Sequence, residues 1–325
     1  MAALADVGEG TVRAAGGHAL FAPPPVIETE VFASLPEPLR KTGRSAEWLR
    51  VQRRGAMMDS FLEGPSFDRE GNLYVVDIPY GRVFRISPAG DFTLAAEYDG
   101  EPNGLKFHKD GRAFIADHKN GIMVLDPASG RIEPFFERPV LERFKGVNDL
   151  FFAGNGDLYF TDQGQTGLQD PTGRLYRLRA EGGLDCLLDN VPSPNGLVMD
   201  RAETMVFLAV TRGNCVWRVP LLLDGRPSKV GVFINMSGGA GPDGMALDME
   251  GNLAVCHPGL GTVWLFSPTG EPLYRIRSCT GLMVTNCAYG GPENRSLFIT
   301  ESDTGTVLRA ELPVAGCPMY LARNE

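Results

Sequence analysis

Six polar side chains recur at a regular spacing along this chain, and each precedes a short apolar segment. They stand 40 to 48 residues apart and comprise one glutamate, one aspartate and four asparagines: Glu63, Asn103, Asn148, Asn195, Asp243 and Asn286. The set contains no histidine and no cysteine, so it offers only carboxylate and amide oxygens. Hard cations such as Ca²⁺ and Mg²⁺ prefer these ligands, and Ca²⁺ tolerates irregular geometry better. Brought together, the six positions would form a site for one divalent cation.

The segments between these polar residues share one pattern, which predicts the architecture. Each contains an apolar strand, a glycine-containing turn and further strands, as in residues 71–77 and 81–86. A repeat of roughly 40 to 50 residues with four short strands is typical of propeller blades. We therefore predict an all-β protein, a six-bladed β-propeller of four-stranded antiparallel blades, with residues 61–325 forming the ring.

The repeat also explains why the polar residues should converge. The first strand of every propeller blade lines the central axis, so equivalent positions in successive repeats form a ring around it. Taken singly, an Asn-Gly or Asp-Gly pair is more typical of a turn than of a ligand. The shared position of all six within the repeat favours the ring.

Residues 1–60 depart from the repeat. Residues 1–24 run into three prolines at positions 23–25 and predict a lead-in, and residues 26–32 alternate as a strand that would complete the last blade. Residues 45–52 have helical composition, with Ser45 as the expected cap. The basic segment 35–58 that carries this helix either lies across the channel mouth as a lid or forms a surface excursion without a role.

Composition limits the classes of partner. The net charge is −9 and the isoelectric point about 5.1, which argues against nucleic acid and anionic membrane surfaces. Residues 1–17 lack the basic-then-apolar order of a signal peptide. The six cysteines show no metal-binding spacing, so we expect reduced, mostly buried thiols in a cytoplasmic protein. Nothing in the sequence indicates an oligomeric state.

Four motifs carry a resemblance to a known family: Glu63-Gly64-Pro65, Asn148-Asp149, Ser193-Pro194-Asn195-Gly196 and Pro242-Asp243-Gly244. In this order and spacing they resemble the senescence marker protein/gluconolactonase/luciferin-regenerating family. The resemblance implies a propeller that holds one divalent cation, usually Ca²⁺ (otherwise Zn²⁺, Mn²⁺ or Mg²⁺), and hydrolyses lactones. It implies that Glu63, Asn195 and Asp243 are metal ligands and Asp243 the general base. Asn148 would contact the ion or the substrate, and Asn103 the substrate.

The chain also departs from the family pattern. Members specific for sugar acids carry arginine two residues before the Asn-Asp pair, where this chain has Gly146 beside Lys145. The departure favours a less polar lactone or another cyclic ester. His118 and His257 follow the second strands of two blades, and we expect them to border the channel mouth as substrate contacts, against the alternative of ordinary loop histidines.

These residues predict a metal-dependent lactonase, a carboxylic ester hydrolase with a small-molecule lactone as its partner. The cation would polarise the lactone carbonyl while Asp243 activates water. Asp117 and Asp162, at equivalent strand ends, are expected to brace loops as hydrogen-bond acceptors. Two alternatives remain: a propeller enzyme of another class resembling strictosidine synthase, which needs no metal ring, and a non-catalytic binding propeller.

Overall fold

The computed structural model describes residues 23–322 and shows six β-sheets arranged as the blades of a propeller. Each sheet contains four antiparallel strands in sequence order from the axis outward, except where the chain ends add strands. The predicted six-bladed, all-β architecture is confirmed. The predictions for residues 1–22, a lead-in without a signal peptide, lie outside the described residues.

Two strands precede the first blade, β1 (Val26–Glu28) and β2 (Glu30–Ser34). Blades one to three contain the following strands: β3 (Leu62–Phe67), β4 (Leu73–Asp77), β5 (Arg82–Ile86), β6 (Phe92–Glu97); β7 (Pro102–Phe107), β8 (Ala113–Asp117), β9 (Gly121–Asp126), β10 (Arg131–Phe136); β11 (Val147–Phe152), β12 (Leu158–Asp162), β13 (Gly173–Leu178), β14 (Leu184–Val191). Blades four to six contain the following strands: β15 (Pro194–Met199), β16 (Met205–Val210), β17 (Cys215–Pro220), β18 (Gly231–Asn235); β19 (Met245–Leu247), β20 (Leu253–His257), β21 (Thr262–Phe266), β22 (Pro272–Arg277); β23 (Val284–Gly290), β24 (Ser296–Glu301), β25 (Thr306–Glu311).

The ring is closed by the N-terminal strands, in a different way from the prediction. We expected residues 26–32 to form one strand of the last blade. Instead, β2 pairs antiparallel with β25 and supplies the outer strand of blade six, while β1 pairs parallel with β22 and adds a fifth strand to blade five. Thr29 lies between them and donates from Oγ1 to the Arg277 carbonyl at 2.8 Å. The segment therefore ties two neighbouring blades together.

Apolar side chains pack between adjacent blades and form the core. One cluster joins Val76 and Val83 of blade one to Leu105 and Ile115 of blade two, and equivalent clusters occupy the other interfaces. All four of these side chains are fully buried. Because strands alternate, one face of each sheet contacts the preceding blade and the other face the next blade. Both faces are therefore apolar.

Carboxylates at the ends of second strands brace the loops that precede the inner strands. The acceptors are Asp77, Asp117, Asp162 and Glu301, and their backbone N–H donors are those of Phe61, Glu101, Gly146 and Met283, at 2.7 to 3.1 Å. The predicted bracing roles of Asp117 and Asp162 are confirmed. This carboxylate–backbone hydrogen bond recurs in four blades, so it holds the loops at one end of the ring.

Helix α1 (Glu47–Gln52) is the one α-helix within residues 23–322, and short 3₁₀ turns occur at Glu37–Leu39, Ile78–Tyr80, Thr211–Gly213, Pro292–Asn294 and Tyr320–Ala322. The N-cap residue of helix α1 is Ala46 rather than the expected Ser45, and Ala46 makes no side-chain capping hydrogen bond. The Trp48 ring packs on the Phe61 ring, with centroids 4.9 Å apart, and fixes the helix against blade one.

All six cysteines are free thiols, as expected for reduced residues. Three are buried rather than most of them, because Cys186 and Cys279 are exposed and Cys317 is half-buried. Across residues 23–322, no helix has the length and apolar character needed to cross a membrane.

Candidate active site at the mouth of the channel

The structure brings five of the six predicted ring residues to one cavity at an end of the channel: Glu63, Asn103, Asn148, Asn195 and Asp243. The first four each occupy the second position of an inner strand, and Asp243 lies two residues before β19. The four residues in strands are buried, while Asp243 keeps part of its surface open to the cavity.

Local irregularities in the inner strands aim these side chains at the axis. The pairing register shifts next to the polar residue in five of the six blades, for example between Glu63 and Ser66 and between Pro194 and Leu197. A bulge of this kind turns a side chain out of the regular alternation of a strand. Four inner strands, β3, β7, β11 and β15, therefore direct a polar group into the cavity, although their other residues pack between blades.

The glycine that follows most of these residues permits close packing of the inner strands. A Cβ atom at Gly64 would lie 2.4 Å from the Asn103 carbonyl oxygen, and one at Gly196 would lie 2.4 Å from that of Asp243. Any side chain there would push neighbouring blades apart. The close approach explains the recurring polar-residue–glycine pair, and it keeps oxygen atoms from different blades near one another.

Asp149 is a site residue that the sequence analysis missed. It stands where four of the other blades have glycine, it is buried, and its Oδ1 would lie 2.5 Å from a Cβ at Gly104. Asn286 donates from Nδ2 to Asp149 Oδ2 at 3.3 Å, and its own Oδ1 accepts the Cys287 N–H at 2.8 Å. Asn286 is thus not part of the cavity wall as predicted, but supports Asp149 beneath it. The replacement of glycine by aspartate in one repeat was the available signal.

Side-chain hydrogen bonds orient the amides. Asn148 donates from Nδ2 to Gln163 Oε1 at 3.0 Å, and Gln163 donates in turn to Ser193 Oγ at 3.0 Å. This leaves Asn148 Oδ1 as the atom with free lone pairs. Asn195 hydrogen-bonds the Asp243 carboxylate. The network fixes which atom of each amide is available to a ligand.

Three acidic groups share this small region, and each has a raised pKa. Burial raises the pKa of Glu63, and the neighbouring Asp149 charge adds to the effect. Burial likewise raises the pKa of Asp243, followed by the charges of Glu63 and Asp149. Burial also raises the pKa of Asp149, opposed chiefly by Lys106. Negative charge is therefore costly here without a compensating cation.

The residues present fit a divalent cation. Glu63, Asp149 and Asp243 form no salt bridge with any residue from 23 to 322, so their charge is uncompensated by side chains in contact. Residues 23–322 also contain no compact group of three or more His, Cys, Asp and Glu side chains placed to hold a metal. The donor set instead combines carboxylates with asparagine amides, an oxygen-only set suited to Ca²⁺.

The two histidines differ in position. His118 lines the cavity and fills the space beside Gly146, where a Cβ would lie 2.2 Å from His118 Cε1. Burial lowers the pKa of His118, which favours the neutral imidazole. His257 is buried in blade five, with Nε2 3.0 Å from the Gly238 carbonyl and Nδ1 accepting from Trp264 at 3.2 Å. Because both of its ring nitrogens are engaged away from the cavity, its expected substrate contact is not supported.

The basic segment that precedes blade one reaches the cavity. Trp48, Gln52 and Arg53 line its wall together with Phe61 and Met283, and the excursion is therefore not remote from the site. Arg53 lies over the Phe61 ring, 5.1 Å from its centroid, and 3.6 Å from Asp303. The mouth therefore combines aromatic and aliphatic surface with the Arg53 guanidinium, which already contacts Phe61 and Asp303.

Comparison with known proteins agrees with this geometry. The family model described as the SMP-30/Gluconolactonase/LRE-like region matches residues 61–303. A gluconolactonase from Zymomonas mobilis is 30% identical over 272 residues, covering 74% of this chain and 76% of its own. The chain belongs to the SMP-30/gluconolactonase/LRE-like family.

Other members extend the comparison. Lactonase drp35 from Staphylococcus aureus is 27% identical over 272 residues, covering 80% of this chain and 79% of its own. Regucalcin from Agrobacterium tumefaciens, described as a calcium-binding protein, shares the fold with a TM-score of 0.73 and 23% identity, covering 92% of this chain and 99% of its own. The curated relatives agree with the predicted enzyme class, a lactonase-type carboxylic ester hydrolase.

The family match begins at residue 61 and includes every predicted site residue. It excludes β2 and α1, although β2 completes blade six and the α1 segment lines the cavity. This member of the SMP-30/gluconolactonase/LRE-like family therefore builds part of its ring and mouth from sequence outside the matched region.

Proposed function

We propose that the chain is a divalent-cation-dependent lactonase whose reaction takes place in the cavity at the channel mouth. The observation that carries the proposal is the convergence of Glu63, Asn148, Asn195 and Asp243 from four blades on one cavity. The names of the gluconolactonase and lactonase relatives support a cyclic ester as substrate. Regucalcin's description as a calcium-binding protein supports Ca²⁺ over Zn²⁺, Mn²⁺ or Mg²⁺.

Glu63, Asn195 and Asp243 would hold the cation, and Asn148 Oδ1 would contribute to the same site. When bound, the cation supplies a Lewis acid that polarises the lactone carbonyl and lowers the pKa of water. The cation would also compensate the negative charges of Glu63 and Asp243, whose raised pKa values reflect burial and mutual repulsion. The carboxylates are thereby kept ionised at neutral pH.

The chain's own side chains do the remaining work. Asp243 takes a proton on its carboxylate from the attacking water, and the hydrogen bond from Asn195 orients that carboxylate. Asn103 and the neutral imidazole of His118 face the same cavity and would position the substrate's polar atoms. Trp48 and Phe61 exclude bulk water from the mouth.

The mouth offers apolar surface to a substituent of the lactone ring. Trp48, Phe61 and Met283 present apolar surface, and His118 fills the volume beside Gly146 that a longer side chain would need. Lys145 points elsewhere, since its Nζ donates to Thr172 Oγ1 at 2.7 Å. Polar side chains, among them Gln52, Thr211 and Arg212, also line the cavity, so the apolar surface would take an alkyl substituent of the lactone and the polar groups its ring.

The decisive experiment measures cation binding and hydrolysis separately. Calorimetric titration with Ca²⁺ follows binding, and the hydrolysis of an alkyl-substituted γ-lactone is measured before and after chelation. We expect one site per chain, loss of hydrolysis on chelation and recovery with Ca²⁺. Asp243→Asn should retain binding in part and lose at least about 100-fold in kcat, the scale of general-base catalysis. Asp126→Asn, at an exposed turn, is the control and should remain fully active.

Two outcomes would contradict the proposal. Hydrolysis that persists without any cation would favour a propeller enzyme of another class. Cation binding without hydrolysis of any lactone would favour a non-catalytic binding protein. Full activity of Asp243→Asn would leave lactonase activity intact but show that another group activates the water.

A further inference from the structure

A second cavity lies at the opposite end of the channel from the site described above. Its interior volume is about 80 Å³, it continues into an open mouth, and its wall is largely apolar. Inner strands of blades three, four and five contribute Phe151, Met199 and Met245, and the C-terminal segment contributes Met319. A concave, mainly apolar wall with few polar groups is typical of small-molecule sites.

One polar atom in this wall lacks a partner. Tyr289 is 5% exposed and lines the cavity from blade six, and its Oη has no hydrogen-bond partner among residues 23–322. A buried hydroxyl left without a partner is destabilising. A ligand oxygen accepting from Tyr289 Oη would remove this cost.

A cation lies in the same wall. Lys106 is half-buried on β7, and its Nζ forms no salt bridge or side-chain hydrogen bond in the part of the chain described here. Its charge lowers the pKa of Glu63 and of Asp149, against the larger effect of burial. The acidic residue in the wall, Asp200, is already engaged, since its Oδ1 accepts the N–H groups of Thr204 and Met205 at 2.8 Å. The cavity therefore offers an available positive charge.

The C-terminal segment covers this end of the channel. Backbone hydrogen bonds of 2.8 Å join Ala315 to Met249, Gly316 to Asn294 and Cys317 to Leu247. The following residues, Met319 and Tyr320, complete the cavity wall. The Tyr320 ring also stacks on Phe152, with centroids 5.2 Å apart, and Leu321 is buried, so the segment is a fixed part of the wall.

We propose that this cavity binds a small amphipathic carboxylate, a medium-chain fatty acid or an acid of similar shape. The ligand's oxygens accept hydrogen bonds from Lys106 Nζ and Tyr289 Oη, and its apolar chain packs on Met199, Met245 and Met319. The site shares no residue with the cavity at the other mouth, so it is a second binding site rather than an extension of the first.

The test uses octanoate as the probe and the full chain with ¹³C-methyl-labelled methionines. The methyl signals of Met199, Met245 and Met319 should shift on titration, while that of Met283, at the other mouth, should not. Calorimetry should show Kd raised at least tenfold by Lys106→Met and about threefold by Tyr289→Phe. Octanol and octylammonium should bind at least tenfold more weakly than octanoate.

Two control variants test whether octanoate binding is specific to this cavity and to the charge of Lys106. Lys119→Met, which removes an exposed lysine of blade two, and Asp243→Asn should leave the octanoate Kd unchanged. If Lys106→Met does not fold, Lys106→Gln replaces it, with the same expected loss. The proposal is overturned if the Met283 signal shifts instead, if Asp243→Asn abolishes binding, if neither wall variant changes Kd, or if octanoate does not bind.

Discussion

Gly146 and His118 act as a pair at the cavity wall. Gly146 has φ +151°, a conformation that L side chains rarely adopt, and its Cα faces the His118 imidazole. Each residue explains the other: the histidine occupies the space that the glycine leaves. Sequence reasoning identified position 146 as a departure from the family pattern, but the residue that fills the space comes from another blade and could not be found without the fold.

We expect Gly146→Ala to destabilise the protein by about 2 kcal/mol, because the new Cβ both strains the backbone and clashes with His118. His118→Ala should be nearly neutral alone and should recover about half of that loss in the double variant, since it removes the clash but not the strain. Urea unfolding of the four proteins gives the coupling energy. Additive losses would show that the ring does not occupy this space.

His257 gives stability a pH dependence. Burial lowers the pKa of His257, opposed by its hydrogen bond with Gly238, and Nδ1 accepts from Trp264 only when unprotonated. Since the folded pKa is below the unfolded value near 6.5, its stabilisation is complete above about pH 6.5 and is lost as pH falls through the folded pKa.

We therefore expect His257→Gln to lose less stability than the wild type between pH 7.5 and 5. Urea unfolding at several pH values measures the difference. His118, whose pKa is also lowered by burial, is present in both proteins, so its contribution cancels. Identical pH profiles for the two proteins would contradict a neutral His257.

At the scale of the blade, the strand-end carboxylates fix the loops on the side of the cavity. Asp117 is fully buried and accepts hydrogen bonds from the backbone of Glu101, Lys119 and Asn120 and from the Tyr98 hydroxyl. The same strand that ends in Asp117 is followed by His118, which lines the cavity. The brace thus positions a candidate substrate contact.

Asp117→Ala should cost about 3–5 kcal/mol, because it leaves several buried donors without an acceptor. Asp126→Ala is the matched control in the same blade: Asp126 also accepts from a turn, at Ala128 and Ser129, but is exposed, and its loss should cost under about 1 kcal/mol. Chemical unfolding measures both variants. Equal losses of stability would show that the hydrogen bonds of Asp117 contribute no more than those of an exposed turn.

The elements that the sequence predicted are those with local signals. Alternating apolar residues and glycine turns predicted the strands and their order, because these depend on neighbours along the chain. The bulges, the inward turn of Asp149 and the position of Asn286 below the cavity depend on contacts between blades, which no local pattern encodes. The cation site, its ligands and the base Asp243 remain predictions, as does the cytoplasmic location.

At the scale of the molecule, ring closure determines whether six sheets, each only marginally stable alone, fold as one unit. Each blade buries its two faces on its neighbours, so a weakened junction exposes apolar surface on both sides. Closure here depends on β2, whose Ala33 is buried and whose Phe32 ring packs on Phe298 with centroids 4.9 Å apart. Arg309 also pairs with Glu30 across this junction.

A chain that begins at residue 36 should therefore be less stable, by about 3–5 kcal/mol, than one that begins at residue 23 and keeps every contact described here. The loss should include a tendency to associate, because β25 becomes an unpaired edge that can accept another chain's strand. Urea unfolding and size-exclusion chromatography measure the two effects. A peptide of residues 26–35 added in trans should restore stability by strand addition, whereas a scrambled peptide should not. If both truncated chains unfold at the same urea concentration, the inter-blade contacts alone hold the ring closed, and β2 is dispensable.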